Sequence, residues 1–286
     1  MIKSFKARRI ISNTVIYVIL AILGFIWITP LIYLVLQSFS GDPGAIPAHP
    51  LPESFSLDNY KELFYPENTQ YLDFPRWYIN TFVVAIFSCI ISTLSVLMVA
   101  YAFSRLRFKT RKKFINIGMI LGMFPGFMTM IAIYYILKAI GLTGQLPALV
   151  ICYSSGAGLG YQISKGFFDT IPRALDEAAT IDGATRNQIF WKIILPMSKP
   201  IVVYTVLTAF IGPWTDFILA KIVIFDNQPN YTVAIGLQTM IDQDHLNQWY
   251  KRFLAGSVLV AVPITLLFLK MQKYYVGGVT AGGVKG

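Results

Sequence analysis

One acidic side chain stands apart from the other charges of this sequence. Asp216 is the only ionisable residue within the long apolar stretches. A charge in hydrocarbon costs at least about 2.5–3.5 kcal/mol, so Asp216 is expected to face protein or a water-filled path. Two interpretations stay open. Asp216 lines a path for a solute, or it lies near the outer end of its span, where water or Lys221 balances its charge.

The other residue types that carry chemistry form no site in this sequence. Cys89 and Cys152 lie inside apolar runs without the spacing of metal ligands, which favours small core residues over a disulfide. His49 and His245 are far apart, and no Gly-x4-Gly-Lys-[Ser/Thr] phosphate loop is present. We therefore expect no catalytic residue, no metal and no cofactor on this chain, and no enzymatic reaction.

Composition indicates an integral membrane protein. Of the 286 residues 55% are apolar and only 13% are charged, because long segments contain no charge at all. The net charge of +10 could suggest nucleic acid as a partner. The basic residues instead flank the apolar runs, as membrane topology requires, so the lipid bilayer is the expected environment and nucleic acid is not an expected partner.

Six apolar segments approach the length of about 20 residues that a membrane-crossing helix needs. They predict an all-α, polytopic membrane protein with one transmembrane domain over residues 1–286. The first segment is too long for a secretory signal, so it is expected to stay as an anchor. The predicted spans are residues 10–36, 78–103, 114–137, 146–164, 200–220 and 253–269.

Glycine and proline within these spans predict close packing and kinks. Gly118, Gly122 and Gly126 recur every four residues, a spacing that lets helix backbones approach closely. Packing within the chain is the favoured interpretation, and a seam against a partner subunit or a gating surface is the alternative. Pro125, Pro213 and Pro263 each remove a backbone hydrogen bond, so their spans are expected to bend.

Basic residues indicate the orientation of the spans. With the N-terminus inside, 18 of the 24 Lys and Arg residues fall in the inner segments. This asymmetry places both termini in the cytoplasm. It also places the polar segment of residues 165–199, here called the motif loop, on the cytoplasmic side. Residues 37–77 and 221–252 are expected on the outside.

The motif loop carries a spaced pattern between two apolar runs. A Glu-Ala-Ala triplet is followed after three residues by Gly and after nine more by Ile-Ile-Leu-Pro. Asp169 or Thr170 can cap a first helix over residues 173–181. Gly183 permits a left-handed turn before a second helix over residues 185–194, which Pro196 and Pro200 should end. An amphipathic hairpin on the membrane surface is the alternative. The pattern residues are Glu177, Ala178, Ala179, Asp182, Gly183, Ile193, Leu195 and Pro196.

This spacing resembles the EAA loop of permease subunits of ATP-binding-cassette (ABC) importers. In that family the loop forms a coupling helix that inserts into the ATP-hydrolysing subunit. The resemblance implies the type I ABC importer permease fold and a coupling role for the pattern residues. It also implies that this chain lies in a bacterial cell membrane and has four partners: a second related permease that forms a heterodimer with this chain, two ATPase subunits that hold ATP and Mg, and an extracytoplasmic sugar-binding protein.

Other segments resemble carbohydrate permeases of the maltose/maltodextrin (MalG) type. Residues 101–108 read Tyr-Ala-Phe-Ser-Arg-Leu-Arg-Phe, and residues 280–286 match the ending of those permeases. The resemblance implies transport of a malto-oligosaccharide or a similar oligosaccharide. Residues 37–77 depart from that type in length and sequence, which weakens any inference about binding-protein contacts. Another solute, or less readily ion-coupled secondary transport, is the alternative.

A sugar path would use rings and carboxylates, because sugars stack on aromatic faces and form hydrogen bonds with carboxylates. Trp214, Thr215 and Asp216 are therefore candidate path residues, and so are Tyr134 and Tyr135, although tyrosines near span ends also serve as interface anchors. Asn230, Tyr231 and Trp249 are candidate contacts with the binding protein, and an ordinary solvated loop is the alternative.

Overall fold

The computed structural model describes residues 5–44, 46–47, 49–66, 72–155, 160–243 and 245–283. Among these residues there is no strand, and Ser40 and Phe55 form an isolated antiparallel bridge. The all-α prediction is confirmed. The α-helices are α1 (Phe5–Ser38), α2 (Asp58–Phe64), α3 (Phe74–Arg105), α4 (Arg111–Gly122), α5 (Gly126–Ala139), α6 (Leu146–Ser155), α7 (Tyr161–Thr170), α8 (Ala174–Ile181), α9 (Arg186–Ile189), α10 (Leu195–Met197), α11 (Lys199–Thr215), α12 (Ile218–Ile224), α13 (Val233–Met240) and α14 (Leu246–Gly283).

The chain divides into two compact units, which are described separately. The first comprises residues 1–72 and 239–259. Its long helix α1 includes the stretch Arg9–Ser38, whose most apolar window is not buried by the rest of the chain. Such a helix needs a lipid or protein environment around it, because uncovered apolar surface of this extent is unfavourable in water.

The first unit also contains a folded polar segment, residues 37–66, here called the outer segment. The carboxylate of Asp42 accepts hydrogen bonds from the backbone N–H groups of Glu53 and Ser54 and from the Ser54 hydroxyl, at 2.8–3.0 Å. These hydrogen bonds, that from Glu53 first, lower the pKa of Asp42 to about 2. The outer segment and the start of α14 line a polar cleft of about 620 Å³.

The second unit, residues 73–238 and 260–286, is built around α3. Helices α6, α7 and α11 all pack against α3. Its buried residues recur every three or four positions, as one face of a helix requires, and several are small enough for neighbouring backbones to approach closely. They include Thr81, Val84, Ala85, Ser88, Ser92, Val96, Leu97, Ala100, Tyr101 and Ser104.

Gly236, in the second unit, lies so close to the ring of Trp77 that a side chain has no room there. A Cβ atom added to Gly236 would lie 2.0 Å from the ring of Trp77, so no other residue fits there without movement. Trp77 is itself buried near the start of α3. Residues 73–83 and 228–236 are thereby held together, and Asn80 adds hydrogen bonds of 3.0 Å to the carbonyl oxygens of Pro229 and Tyr231.

Pro125 breaks the predicted third span rather than only bending it. α4 ends at Gly122 and α5 begins at Gly126, and the two axes differ by 101°. Pro125 precedes α5 with an extended ψ of 124°, a conformation that interrupts the helix. The kink expected from the sequence is therefore a full change of direction.

Among the described residues, three helices are long and apolar enough to cross a membrane, and the number of spans rises to as many as five if each of two bent pairs counts as one. The described residues also include α6, a shorter apolar helix. The predicted fourth span, residues 146–164, includes residues 156–159, which lie outside the described residues. The number of six spans stays a prediction.

Packing within the chain, the favoured interpretation of the four-residue glycine spacing, is wrong at two positions. A Cβ atom added to Gly122 or Gly126 would meet no atom within 4 Å. No residue of α4 is buried. These glycines therefore leave an open surface in the described chain, which keeps the alternative of a seam against a partner open.

Candidate functional site

The motif loop contains two helical segments separated by a tight turn. α8 ends at Ile181, and Gly183 has a φ of +82°, in the left-handed region that glycine adopts without steric cost. Thr185 then begins α9 with a capping box, in which its hydroxyl accepts from the Gln188 amide and the Gln188 side chain bonds back. The two predicted helices and the left-handed turn are confirmed.

The predicted cap of the first helix is wrong. α8 begins at Ala174, after Arg173, and neither Asp169 nor Thr170 caps it. The Thr170 hydroxyl donates to the carbonyl oxygen of Phe167, within the end of α7. Both residues therefore belong to the preceding helix, and Asp169 is engaged by α3 as described below.

The sequence predicts that the second helical segment ends at Pro196, but the segment continues past this residue. α9 continues through a π-helical turn, Phe190–Ile194, into α10, and the break comes at Ser198. In the π turn the amide of Leu195 bonds to the carbonyl oxygen of Phe190, five residues back. The wider turn makes room for the proline ring, which would clash in a regular α-helix. Across Ser198 the axis then bends by 86° into α11.

Arg105, at the end of α3, fastens the motif loop to that helix. Its guanidinium donates to the carbonyl oxygens of Phe168 at 2.7 Å and Ile171 at 2.8 Å. It also pairs with the carboxylate of Asp176 on α8 at 3.3 Å, and its side chain is only 4% exposed. A single buried cation thus holds the end of α7, the connection after it and the start of α8.

The Arg105–Asp176 pair uses only part of its bonding capacity. Arg105 Nε and Asp176 Oδ1 are both buried without a hydrogen-bond partner among the described residues. A guanidinium and a carboxylate can form two parallel hydrogen bonds, so a small rotation would give a second geometry for the same pair.

Ser104, next to Arg105, makes a second attachment. Its hydroxyl donates to Asp169 at 2.6 Å, and Lys165 donates to the other oxygen of the same carboxylate at 2.6 Å. Partial burial acts to raise the pKa of Asp169, but the hydrogen bonds from Lys165 and Ser104 outweigh it and lower the pKa. Arg173 donates back to the carbonyl oxygen of Ser104 at 3.2 Å.

A hydrophobic cluster lies beneath these polar contacts. The ring of Tyr101 packs against Phe190 at 4.9 Å between centroids, and its hydroxyl donates to the carbonyl oxygen of Arg186. Ala179, from the Glu-Ala-Ala triplet, is the buried residue of α8. The buried members of the cluster are Leu97, Ala100, Tyr101, Tyr161, Phe168, Ile171, Ala179, Ile189, Phe190, Ile194 and Ile201.

The opposite face of α8 is open. Ile181 is 86% exposed, and Ala178, Asp182 and Gly183 are exposed beside it. The exposed Glu177 carboxylate forms no hydrogen bond or ion pair with any described residue. Glu177 and Ile181 border a cleft of about 440 Å³ whose floor includes Tyr101 and Arg105. An apolar side chain and a carboxylate at a cleft, on a helix held rigidly from behind, form a surface suited to a protein partner.

The remaining pattern residues lie along the second helical segment. Ile193 and Leu195 are half-buried and pack against the hydrophobic cluster, whereas Pro196 is exposed. The structure therefore brings the eight pattern residues onto one short helical hairpin. Of these, Ala179, Ile193 and Leu195 face inward, and the others lie at its surface.

Asp216 occupies a helix junction. It follows α11, and its Oδ1 accepts from the amide of Leu219, in the first turn of α12, at 3.2 Å. Its Oδ2 accepts from the hydroxyl of Tyr153 at 2.8 Å. Lys221, the alternative partner expected from the sequence, pairs instead with Asp226 at 3.8 Å. Asp216 thus faces protein groups, one of the two environments expected of a charge within a span.

Trp214 and Thr215 differ in their exposure. Trp214 is 2% exposed, and its ring lies 5.0 Å from that of Tyr78 and close to Phe82 and Phe210. In this conformation Trp214 packs α11 against α3 and offers almost no surface to a solute. Thr215 is exposed and donates within its own helix. A path role for these residues stays a prediction.

Tyr134 and Tyr135 lie on α5 and contact each other edge to face, with ring centroids 5.6 Å apart. Tyr135 is exposed and Tyr134 is half-buried. Exposed tyrosine on an apolar helix fits both an interface anchor and a path residue, so the two interpretations of these tyrosines remain.

The three residues predicted to contact the binding protein all contact other residues of this chain. Asn230 donates to the carbonyl oxygen of Gly144 at 2.7 Å. Tyr231 is buried, and its hydroxyl accepts from Lys221, whose ammonium lies 4.8 Å above the ring. Trp249 is largely buried in the first unit and stacks on His245 with centroids 4.2 Å apart. Asn230 and Tyr231 thus order the 3₁₀ turn Gln228–Asn230 and the chain after it.

Sequence reasoning assigned no role to Arg105, Asp176, Ser104 or Tyr153. The segment Tyr101–Phe108 indicated only a resemblance to carbohydrate permeases, although its residues Ser104 and Arg105 bind the motif loop. A signal was present, since an Arg directly after an apolar span lies at the level where a following loop can reach it. The partner of that Arg is 71 positions away and could not be named from spacing.

Comparisons with known proteins agree with this architecture. Residues 97–276 match the family described as "Binding-protein-dependent transport system inner membrane component". The galactooligosaccharides transport system permease protein GanQ of Bacillus subtilis (strain 168) is 35% identical over 287 residues, covering 100% of both chains. The maltodextrin transport system permease protein MdxG of the same strain is 36% identical over 282 residues, covering 98% of this chain and 99% of that relative.

A solved structure shares the fold. One chain of a bacterial ABC transporter involved in the import of the acidic polysaccharide alginate superposes with a TM-score of 0.76 at 22% identity, covering 96% of this chain and 99% of the other. This likeness, together with the family match, confirms the predicted all-α fold of type I ABC importer permeases. Because the family match spans more than half of the sequence and two relatives align along nearly all of it, this chain belongs to the binding-protein-dependent transport system inner membrane components.

Proposed function

We propose that this chain is a permease subunit of an ATP-driven importer for an oligosaccharide. It would pair with a second, related permease in the bacterial cell membrane, with both termini in the cytoplasm. Two ATPase subunits would bind ATP and Mg, and an extracytoplasmic binding protein would deliver the sugar. The chain itself would carry out no covalent chemistry.

The observation that carries this proposal is the two-sided construction of α8. One side is fixed to α3 through Arg105 and Asp176, and the other side leaves Glu177 and Ile181 open at a cleft. A push on the open side is transmitted to α3 because the fixed side does not yield independently. This is the mechanical arrangement that coupling an ATPase to membrane helices requires.

Malto-oligosaccharide, or an oligosaccharide of similar size, is the proposed solute. The support is the naming of relatives that align over their full length, one a maltodextrin permease and one a galactooligosaccharide permease. Asp216, Thr215, Tyr134 and Tyr135 remain the proposed path residues. Trp214 would act behind them by packing α11 against α3.

The test is coupled transport in proteoliposomes that contain the complex purified from its native membrane. We expect Glu177→Lys and Gly183→Asp to abolish sugar uptake while the variant chain still inserts at normal levels. Gly183→Asp acts through the backbone, since a φ of +82° is strained for a residue with a side chain. Sugar-stimulated ATP hydrolysis should fall together with uptake.

A matched charge reversal, Glu53→Lys in the outer segment, serves as control. Glu53 is exposed and carries the same charge as Glu177, but lies outside the motif loop. Unchanged uptake in Glu177→Lys and Gly183→Asp would contradict the coupling role. Loss of uptake in all three variants would point to a general effect of charge or folding instead.

A further inference from the structure

A second cleft lies where the motif loop turns into α11, at the 86° bend across Ser198. Its volume is about 410 Å³, within the range of small-molecule sites. One wall comes from the π turn and α10, one from the first turns of α11, and one from α14. We call it the elbow groove, and it is lined by Trp191, Leu195, Pro196, Lys199, Val202, Val203 and Tyr274.

The elbow groove is apolar with one cation. Among the described residues that line it, Lys199 alone is charged, and that side chain is exposed. Further lysines stand near both walls in the chain: Lys192 in the π turn and Lys270 and Lys273 on α14, all exposed. Residues 183–215 and 245–286 contain no Asp or Glu at all. The chain segments that form the walls of the groove therefore contribute only positive charge, which favours a negatively charged ligand at Lys199.

Two amphipathic aromatic rings indicate where the groove lies relative to the membrane surface. Trp191 is 47% exposed and Tyr274 is 41% exposed, and Lys273 lies 5.0 Å above the Tyr274 ring. Trp, Tyr and Lys at the ends of apolar helices are typical of the boundary between hydrocarbon and head groups. Lys270, Lys273 and Tyr274 follow the last apolar run of α14, and Lys199 begins α11. The groove therefore opens at the membrane surface, on the side of the motif loop.

We propose that the elbow groove binds one anionic phospholipid, with an acyl chain along its apolar walls and the phosphate at Lys199. A neutral lipid would supply the chain but leave the lysines without a counter-charge. A free phosphate would supply the charge but leave the apolar walls uncovered. The ligand that meets both requirements is an anionic lipid of the adjacent leaflet, which the proposed orientation makes the cytoplasmic one.

The location gives this lipid a specific mechanical effect. It would contact residues on both sides of the bend, Trp191 and Leu195 before it and Lys199 and Val202 after it. A ligand that binds one geometry of a joint stabilises that geometry by its difference in affinity. The lipid would thus stabilise the 86° angle between the motif loop and α11. This effect on coupling rests on the proposed function, whereas lipid binding itself does not.

Native mass spectrometry tests the binding. The full chain, with the subunits that remain bound, is purified in detergent and mixed with phosphatidylglycerol or with phosphatidylcholine of the same acyl chains. We expect phosphatidylglycerol to be retained preferentially, and Lys199→Gln to reduce that preference about fivefold, the factor that one basic residue contributes at an anionic surface. Lys138→Gln, at the exposed end of α5, is the control with the same loss of charge.

A photo-crosslinking amino acid at position 191 separates the possible occupants in the native membrane. Adducts with lipid, lost in Lys199→Gln, would support the proposal. Adducts with a permease subunit or with a second copy of this chain would overturn it, because the groove would then be a protein interface. Equal retention of the two lipids, or an equal effect of Lys138→Gln and Lys199→Gln, would also overturn it. None of these outcomes depends on sugar uptake, so failure here is distinct from failure of the transport proposal.

Discussion

The outer segment and the motif loop both connect apolar helices, yet their carboxylates differ in whether they have bonding partners within the chain. In the outer segment Asp42 is surrounded by donors from Glu53 and Ser54, and Glu62 pairs with Arg252. In the motif loop Asp176 is paired with Arg105, while its neighbour Glu177 faces solvent beside the exposed Ile181. One segment satisfies its own charges, and the other satisfies only those on its inner side.

The difference suggests that the outer segment is stable through its own contacts, whereas the motif loop leaves a surface that a protein partner could cover. Internal hydrogen bonds hold a polar segment in shape but leave few groups for a partner. An exposed apolar side chain gains free energy when it is covered, about 1.5–3 kcal/mol for a residue of this size. The comparison therefore makes opposite predictions for the two regions, and mutations can test each of them.

The largest expected effect is from Arg105→Ala. The change removes the pair with Asp176 and two hydrogen bonds to backbone carbonyl oxygens, which should cost about 3 kcal/mol for a largely buried pair. Local opening of the motif loop would then rise about a hundredfold. The measurement is the rate of tryptic cleavage after Arg173, which is exposed at the start of α8.

Arg107→Ala is the control for this prediction, since Arg107 is exposed two residues further along. Its cleavage rate should match that of the unmodified chain. Arg105→Lys should be intermediate, because an ammonium keeps the charge but cannot reproduce the fork of donors. A cleavage rate that is the same in all variants would show that the anchor does not hold the loop.

A smaller effect, confined to association, is expected from Ile181→Ser. Because Ile181 is exposed, the free energy of unfolding should change by no more than about 0.5 kcal/mol. The affinity for the proposed ATP-hydrolysing partner should fall about tenfold or more, as the proposed apolar contact is lost. Thermal unfolding and pull-down of the partner measure the two quantities. A large loss of stability with normal association would reverse the proposed roles of the two faces of α8.

The smallest effect is expected from acid and from Asp42→Asn in the outer segment. The pKa of Asp42 is lowered to about 2 in the folded chain, from an ordinary value of 3.8. Its stabilisation is therefore complete above pH 4 and is lost as the pH falls toward 2. Hydrogen exchange at the amides of Glu53 and Ser54 is followed from pH 5 to pH 2.5, and each rate is divided by the intrinsic exchange rate at that pH. The protection of both amides should fall at the acid end.

In Asp42→Asn the same two amides should exchange faster at every pH and show less dependence on acid. Glu53→Gln, which changes an exposed carboxylate without removing the acceptor of these amides, should behave like the unmodified chain. An unchanged pH profile in Asp42→Asn would mean that another group holds the outer segment.

Local rules predicted part of this site well. The left-handed turn at Gly183 and the helices on either side of it follow from a glycine between two short amphipathic stretches. The all-α fold follows from long uncharged runs that have no other stable conformation in a bilayer. Each of these inferences depends on residues within a few positions of one another.

The inferences that failed depend on neighbours that are distant in sequence. Asp169 looks like a helix cap until Ser104, 65 positions earlier, is placed beside it. Pro196 looks like a stop signal until the π turn before it makes room for the ring. Such contacts between distant residues cannot be read from the spacing of residues in a single sequence.

The length of α3 has one more consequence. Its 32 residues extend about 48 Å at 1.5 Å per residue, so the helix is a rod with Arg105 at one end and Phe74 at the other. A tilt of about 5° about the middle of that rod moves each end by about 2 Å in opposite directions, without changing a single backbone hydrogen bond. The helix thus acts as a rigid lever: a displacement of its Arg105 end is matched by an opposite displacement of its Phe74 end and by a smaller one at Asn80, which donates to the carbonyl oxygens of Pro229 and Tyr231.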